Sequence, residues 1–253
     1  MRMHRTSLAL AGSVLLATGA ACLLPTAAQA GAAATVPCSE TALIAAVNAA
    51  NTAGGGTITL TNGCTYTLTS AHGNDGVNGP DGLPIITTPI ALSGNANTIT
   101  RSATAAAFRI AQVAASGGLT LNAVTLSGGN ATTAGHNHGG GVLNFGAVTL
   151  TGSAINGNTA GGLGGAIYSS GAAAAATFTS STVRSNTANQ AAGIASAGAT
   201  LTMTSSVVTL NTAATQPGGI YSSGTSTMTT TSVTANTPTN CVGSPQPVTG
   251  CVG

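Results

Sequence analysis

One short sequence motif occurs four times in this chain, as GGGVLNFG (residues 139–146), LGGAIYSSG (163–171), QAAGIASAG (190–198) and PGGIYSSG (217–224). Each copy places small residues before an aliphatic residue, and the copies follow one another at a nearly constant interval. Self-similarity at a fixed period is the signature of proteins built from stacked, similar units. We therefore predict a repeat architecture over residues 117–237.

Three columns of apolar residues keep the same period. Their members are Leu121, Leu150, Phe178, Met203 and Met228; then Leu126, Ile155, Val183, Val208 and Val233; and Val142, Ile167, Ile194 and Ile220. Stacked rungs place like residues on like residues, and parallel crossovers favour right-handed winding. The pattern therefore predicts an all-β fold, a right-handed parallel β-helix (a solenoid with three strands per coil).

Asparagine and glycine mark the corners of the predicted coil. Four repeats end in Asn followed by Thr, at Asn158, Asn186, Asn211 and Asn236. Asn tolerates left-handed backbone angles and bonds turn amides, so we expect a column of Asn side chains at one corner. Gly pairs at 140–141, 164–165 and 218–219 predict a second corner where a Cβ atom would crowd its neighbours.

The segment before the repeats carries helix and strand signals. Ser39 is a suitable N-cap for a short N-terminal capping helix over residues 39–48. Alternating apolar residues predict strands at 57–60 and 65–68. In the following coil, the SGNAN sequence at 93–97 is expected to separate two short strands.

The four cysteines after residue 30 are predicted to form two disulfides. A bridge between Cys38 and Cys64 would tie the helix to the first strands, and a bridge between Cys241 and Cys251 would close a small loop after the last repeat. Two prolines in that loop make it a poor template for further strand pairing. The predicted organisation is a signal peptide (1–30), an N-terminal cap and first coil (31–70), an exposed loop (71–84), the β-helix (85–240) and a C-terminal disulfide cap (241–253).

Composition excludes several classes of protein. The chain is 3% charged, 2% aromatic and 43% hydrophobic, with no Trp, which fits neither a well-filled globule nor a charged disordered chain. Arg2 and Arg5, an apolar run over 8–24 and an Ala-Gln-Ala sequence at 28–30 are typical of a secretory signal, with an uncleaved membrane anchor as the alternative.

Cleavage of this signal would leave a chain without net charge. Three arginines would remain against three acids, and no basic patch would remain for nucleic acid. We expect a monomer that is secreted or associated with the cell surface, with no membrane span after cleavage. The partners expected are polysaccharide or cell-envelope components.

These repeats resemble those of the right-handed parallel β-helix proteins that bacteria secrete, within the pectate-lyase-like superfold. The pairing of GG-[AIV] with aliphatic-x-x-Asn is also similar to the GGAI and FxxN repeats of polymorphic outer-membrane proteins and autotransporter passengers. Ile or Val stands here where that family has Phe. The resemblance covers residues 36–241; it implies the fold and is uninformative about activity.

The acidic residues offer little for catalysis. Resemblance to pectate lyases would imply a calcium-binding carboxylate cluster with a basic residue, and resemblance to polygalacturonases would imply grouped aspartates. Asp75 and Asp81, with His72 nearby, are the catalytic candidates because two-carboxylate hydrolysis needs a pair of acids. Residues 117–237 contain no Asp, Glu or Lys. The favoured interpretation is solvation of both carboxylates in the 71–84 loop, and no cofactor is expected.

The histidines and arginines each have a structural and a functional interpretation. His136 and His138 offer two imidazoles without an evident third metal ligand, which favours an exposed loop between coils. Arg101, Arg109 and Arg184 lie near predicted strand ends, where a solvated or carbonyl-bonding role is expected.

One predicted surface stands out. Alternation along the strands places a double column of threonines outside one face, and we name this set the Thr face: Thr149, Thr151, Thr177, Thr179, Thr202, Thr204, Thr227 and Thr229. Thr is also simply a good β-branched residue for an exposed strand. The array resembles the TxT faces of β-helical ice-binding proteins, and its hydroxyls could equally bind saccharide. Tyr168 and Tyr221, predicted to lie two rungs apart, are aromatic platforms for sugar stacking.

Three functions therefore stay open. The favoured one is a secreted, non-catalytic β-helix that acts as an extracellular or cell-surface adhesion or binding module. The alternative is a polysaccharide lyase or glycoside hydrolase that uses residues 72–81 and an arginine. The third is a glycan- or ice-binding module that uses the Thr face.

Overall fold

The computed structural model describes residues 35–253. The predicted signal peptide (1–30) lies outside the described residues. Within the described part, the chain forms an all-β solenoid of about 5 turns with a single short helix near its start. No helix in this part is both long and apolar enough to cross a membrane.

The helix α1 (Glu40–Ala53) begins where the sequence predicts. Ser39 has extended backbone angles and its Oγ accepts a hydrogen bond from the Ala42 N–H at 3.1 Å, as an N-cap does. The helix ends five residues later than predicted, because Ala49, Ala50 and Ala53 are strong helix formers and Gly54 closes the helix in the left-handed region, at φ 83°. Leu43, Val47 and Ala50 bury one side of it.

Short strands make up nearly all the remaining regular structure of the described part. They are β1 (Gly56–Thr59), β2 (Thr65–Leu68), β3 (Pro89–Arg101), β4 (Ala111–Val113), β5 (Gly118–Ser127), β6 (Asn130–Ala131), β7 (Val142–Asn144), β8 (Ala147–Thr151), β9 (Ala154–Asn156), β10 (Thr159–Ala160), β11 (Ile167–Ser170), β12 (Ala175–Thr179), β13 (Thr182–Arg184), β14 (Thr187–Gln190), β15 (Ile194–Ala197), β16 (Thr200–Thr204), β17 (Val207–Thr209), β18 (Thr212–Thr215), β19 (Ile220–Ser222), β20 (Ser226–Thr229) and β21 (Ser232–Thr234).

These strands form three parallel sheets, as predicted. The largest sheet is bent: the first half of β5 pairs with β8, and its second half pairs with β9. Later coils therefore place two separate strands on this sheet, such as β12 and β13, and one strand on each of the other two. A coil such as β8 to β11 thus contributes four short strands to three sheets.

The three predicted apolar columns are confirmed. Leu150 pairs with Phe178, Ile155 with Val183, and Ile167 with Ile194 in adjacent coils. Nearly all members of the three columns are buried; Met228, in the last coil, is half-buried against the core. Aliphatic side chains stacked at about 4.8 Å per rung fill the interior.

The predicted Asn corner is confirmed, although its backbone geometry differs from the expectation. The side chains of Asn158, Asn186, Asn211 and Asn236 are buried and hydrogen-bonded in series, with Nδ2 to Oδ1 distances of 3.0, 2.9 and 2.8 Å. The left-handed residue is the one before each of these asparagines, for example Ser185 at φ 54° and Leu210 at φ 56°. The Asn side chain thus stabilises the corner through hydrogen bonds, and the residue before it adopts the positive φ.

The Gly corner is confirmed, and a third corner carries a serine ladder that sequence reasoning missed. A Cβ atom on Gly165 would lie 2.5 Å from the Ala192 carbonyl oxygen. At the third corner the hydroxyl oxygens of Ser153, Ser181 and Ser206 each accept a backbone N–H from the coil before, at 3.1, 3.2 and 3.1 Å. The corner bonds therefore repeat in register with the strands.

One strand prediction is wrong. The SGNAN sequence does not separate two strands but lies inside the long strand β3. The pairing of β3 with β5 shifts register between Ser93 and Asn97, and Ala96 takes a positive φ of 55°. A β-bulge therefore absorbs the turn-forming residues without ending the strand.

Both ends of the solenoid are closed as predicted. Disulfides join Cys38 to Cys64 and Cys241 to Cys251, with Cα–Cα distances of 5.5 and 6.2 Å. The helix α1 contacts β1, β2 and β3. At the other end, the cap covers the last coil, because Gln246 N–H donates to the Ser222 carbonyl at 2.9 Å and the Ser244 hydroxyl donates to the Ile220 carbonyl at 2.8 Å.

Candidate functional site

The Thr face forms two aligned columns. Thr149, Thr177, Thr202 and Thr227 are consecutive partners in the β8, β12, β16 and β20 ladder, and Thr151, Thr179, Thr204 and Thr229 are partners two residues later. Neighbouring coils place equivalent side chains about 4.8 Å apart, and residues i and i+2 along a strand lie about 6.6 Å apart. The eight hydroxyl groups therefore lie on a regular two-dimensional grid.

The hydroxyls of the Thr face have no partner within the described part of the chain. No hydrogen bond there uses the side-chain oxygen of any of the eight threonines. Thr151, Thr227 and Thr229 are exposed and the other five are half-buried. The strands β8, β12, β16 and β20 contain no ionisable residue. This surface can donate and accept hydrogen bonds but presents no charge.

The other half of the bent sheet has no comparable grid. Its outward positions on β13, β17 and β21 include Thr182, Thr209 and Thr234. They are interrupted by the exposed charge of Arg184 and by the exposed aliphatic side chain of Val207. This second surface has the same strand type and a similar composition, so it is a natural internal control for the Thr face.

Asp75 is held by its own loop. Its Oδ1 accepts the backbone N–H groups of Val77 and Asn78 at 2.9 and 2.7 Å, and its Oδ2 accepts the side-chain amides of Asn78 and Gln112 at 2.6 and 2.7 Å. Burial alone would raise the pKa of Asp75, but these hydrogen bonds outweigh it and lower the pKa well below its usual range. The carboxylate is engaged in ordering the 75–78 turn.

Asp81 is not solvated, contrary to the prediction. Its side chain is 0% exposed and its Oδ1 accepts Arg109 Nη1–H at 2.8 Å. Burial raises the pKa of Asp81 to about 7, and the charge and hydrogen bond of Arg109 oppose this rise. The loop prediction for 71–84 was therefore correct only for its first part, because residues 81–84 are buried.

Arg109 binds backbone carbonyl oxygens in addition to the Asp81 carboxylate. The side chain is 1% exposed, and its guanidinium also donates to the carbonyl oxygens of Asn78, His136 and His138, at 2.5, 3.1 and 3.3 Å. The carbonyl-bonding role predicted for the arginines is confirmed here. Arg101 behaves in the same way, since its Nε–H donates to the Gly128 carbonyl at 2.8 Å, whereas Arg184 is exposed.

The predicted histidine pair lies beside a cavity. His136 and His138 are half-buried rather than exposed, and they line a cavity of about 230 Å³ together with Tyr168, Leu143, Phe145 and other residues. The rings of His138 and Tyr168 lie 4.7 Å apart between centroids, with 33° between their planes. Burial and the nearby charge of Arg109 lower the pKa of His138, which favours a neutral imidazole.

The two candidate tyrosines are separated as predicted. Tyr168 pairs with Ala195, and Ala195 pairs with Tyr221 in the next coil, so the tyrosines lie two rungs apart. Both are half-buried and on the same column. Only Tyr168 lines the cavity.

A larger hollow of about 460 Å³ lies next to the Thr face. Small residues and backbone line it, among them Gly118, Ala91 and Pro89, together with Thr120 and Thr149. It contains no aromatic and no titratable side chain. Ala91 occupies the position that Thr120 and Thr149 hold in the following coils, and the neighbouring column contributes Pro89, Gly118 and Ala147.

The described residues hold no group of three or more His, Cys, Asp or Glu side chains that could bind a metal ion. Comparisons of this chain with protein-family models, with curated proteins and with solved structures give no match.

Proposed function

We propose that this protein is a secreted, non-catalytic β-helix that binds a neutral polysaccharide of the extracellular surroundings or cell envelope through its Thr face. The observation that carries the proposal is the grid of eight hydroxyls without partners in the described chain. A polymer of neutral sugars offers hydroxyls at a regular spacing, so several weak hydrogen bonds can form together on such a grid. An uncharged, rigid surface also loses little conformational entropy when it binds.

A lyase or hydrolase activity has less support. All three carboxylates of the chain are bonded within it: Asp75 by its turn, Asp81 by Arg109, and Glu40 by Thr69, Ser70 and His72. Glycoside hydrolysis requires two carboxyl groups on either side of one bond. The resemblance to the pectate-lyase-like superfold concerns the fold and adds no support for an enzymatic activity.

Co-sedimentation with insoluble polysaccharides tests this function. We expect wild-type protein to bind one or more neutral polymers, such as cellulose, chitin or β-glucan, and not the acidic polymers pectate or alginate. Because the Thr face has no charge, binding should persist in about 1 M NaCl, at which electrostatic attraction is screened within about 3 Å. Binding to acidic polymers alone, or binding abolished by salt, would contradict the proposal.

Ice is the second candidate ligand, and the same grid favours it. The two aligned Thr columns continue through four coils without a register shift, so they could match a repeating water lattice. Thermal hysteresis measured on the same preparation distinguishes the ligands. Hysteresis clearly above that of a control protein, without polysaccharide binding, would favour ice over the proposed ligand.

A further inference from the structure

The cavity beside His138 concentrates residue types that are rare in this protein. The chain has three Tyr and three Phe, and Tyr66, Phe108 and Phe178 are buried in the core. Two of the three remaining aromatics, Tyr168 and Phe145, line this one cavity. Two of the three histidines in the described part, His136 and His138, line it as well. Coil stacking does not require this grouping, because the next coil places Ala195 opposite Tyr168 and Ala197 opposite Ser170.

The size of the cavity suits one small ring. The volume is about 230 Å³, which corresponds to about eight water molecules at their share of liquid volume, and it is below the usual size of a site for a drug-sized ligand. Leu143, one rung before Tyr168 on the same column, supplies an aliphatic wall. The contact between the Tyr168 and His138 rings fixes an aromatic wall. One face of a bound ring would therefore lie on aromatic carbon.

The hydrogen-bonding groups that His138 and Ser170 present to the cavity point to a hydroxyl-rich ligand. Arg109 lines the cavity, but its charge is paired with Asp81 and its N–H groups donate to carbonyl oxygens. His138 Nδ1 accepts the Leu163 N–H at 2.9 Å, so the neutral ring carries its proton on Nε2 and can donate there. The hydroxyl of Ser170, which also lines the cavity, can donate or accept. A purely apolar ring would leave such groups without partners, and an anion would meet a guanidinium whose N–H groups are already bonded to Asp81 and to carbonyl oxygens.

We propose that this cavity binds a single neutral sugar ring, with its C–H face on Tyr168 and its hydroxyls towards His138 and Ser170. The site lies on the β7, β11, β15 and β19 sheet and is separate from the Thr face. It therefore stands independently of the function proposed above. It would recognise one sugar residue, such as a chain end or a branch, whereas the Thr face would contact a polymer surface.

Aromatic NMR with methyl glycosides of neutral hexoses and pentoses tests the site. The protein has few aromatic and histidine rings, so those of Tyr168 and His138 can be followed individually. We expect both to shift during titration with at least one neutral glycoside, and not with galacturonate. No shift with any neutral glycoside at high millimolar concentration, or shifts with adenine in place of the glycosides, would overturn the proposal.

A matched pair of variants ties the binding to the cavity. Tyr168→Leu keeps an apolar side chain against His138 and should weaken glycoside binding about tenfold, or about 1.4 kcal/mol, because the stacking of the ring is lost. Tyr221→Leu makes the same change two rungs away and should leave binding unchanged. Equal binding by both variants would refute the site. If Tyr168→Leu does not fold, the His138 shifts of the wild-type protein decide the question.

The variant Thr177→Val/Thr202→Val, which alters the Thr face, tests whether the Thr face and the cavity are separate binding sites. We expect it to bind methyl glycosides as the wild-type protein does. Loss of glycoside binding in this variant would assign the sugar to the Thr face and overturn the cavity site. Loss of polymer binding alone would bear on the function proposed above and leave the cavity site intact.

Discussion

Each buried asparagine of the corner ladder joins three coils. In Asn211, the Oδ1 accepts the backbone N–H of Asn186 at 3.0 Å and its side-chain amide at 2.9 Å, and the Nδ2 donates to the Val183 carbonyl at 3.1 Å and to Asn236 Oδ1 at 2.8 Å. A primary amide is the side chain that can accept and donate on both sides of one rung. The residue therefore stabilises the corner at which no strand hydrogen bonds are available.

The substitution Asn211→Ala should destabilise the protein by about 3 kcal/mol. It leaves buried donors and an acceptor without partners, and each such group costs about 1–3 kcal/mol before relaxation. The free energy of unfolding, measured with urea, checks this value. Asn189→Ala is the matched control, because Asn189 is exposed; its effect should stay within about 0.5 kcal/mol. Equal effects of the two substitutions would contradict the role of the ladder.

For individual residues, the sequence predicts the contacts that repeat from coil to coil and misses those that occur once. The Asn and Gly corners repeat, so their positions follow from spacing alone. The Asp81–Arg109 pair joins residues 28 positions apart in segments without a repeat, and no local pattern reports its burial. The serine ladder was visible in principle, since Ser153, Ser181 and Ser206 keep the repeat interval.

Among the elements, the helix α1 is fixed to the first coil by Glu40. Its carboxylate accepts the Thr69 N–H at 2.9 Å and contacts His72 Nε2 at 2.8 Å. Burial alone would raise the pKa of Glu40, but the hydrogen bonds from Thr69, His72 and Ser70 lower it to about 2, from a usual value of 4.5. A carboxylate with a lowered pKa stabilises the folded state above the unfolded pKa and loses that contribution as pH falls towards the folded pKa.

Glu40→Gln should therefore show a pH-dependent deficit. We expect its free energy of unfolding to lie below that of the wild-type protein by a constant amount above about pH 4.5. The deficit should shrink as pH falls from about 4.5 to 2, because the wild-type carboxyl becomes protonated in both states. Urea unfolding of both proteins at several pH values in this window measures it. A deficit of the same size at pH 2 and pH 7 would exclude an ionic contribution.

The C-terminal cap covers the open edge of the last coil. Deletion of residues 241–253 removes the groups that bond β19, including Ser244 and Gln246. The exposed edge of β19 should then pair with other chains, because an unpaired strand edge is a template for association. We expect the truncated protein to form dimers or larger species in size-exclusion chromatography with light scattering.

A variant without the N-terminal bridge, Cys38→Ser/Cys64→Ser, is the control for the deletion. It should lose about 3.5 kcal/mol of stability in the chain-entropy model for a 26-residue separation, yet keep the mass of the wild-type protein. Association of both variants would indicate that general destabilisation is responsible. A truncated protein with unchanged mass would show that the cap does not protect the edge.

Over the whole molecule, the sequence predicts the solenoid because each coil repeats the same apolar positions. The elements that it misplaces lie where the repeat fails: the bulge in β3, the late end of α1 and the buried part of the 71–84 loop. The Thr face follows from the alternation of residues along each strand. The sugar-sized cavity does not, since it depends on how the 132–138 segment folds against Tyr168, and no spacing encodes that contact.

The central claim is that function lies on the Thr face and not on the β-helix surface in general. Thr177→Val/Thr202→Val removes two hydroxyls from the face and keeps the β-branched shape, and Thr182→Val/Thr209→Val makes the same change on the other half of the bent sheet. The most direct test is the affinity of both variants for a neutral polysaccharide that the wild-type protein binds. We predict a loss of about tenfold for the first variant, since two hydrogen bonds contribute about 1–3 kcal/mol, and less than twofold for the second. Equal affinities of the two variants would contradict the account.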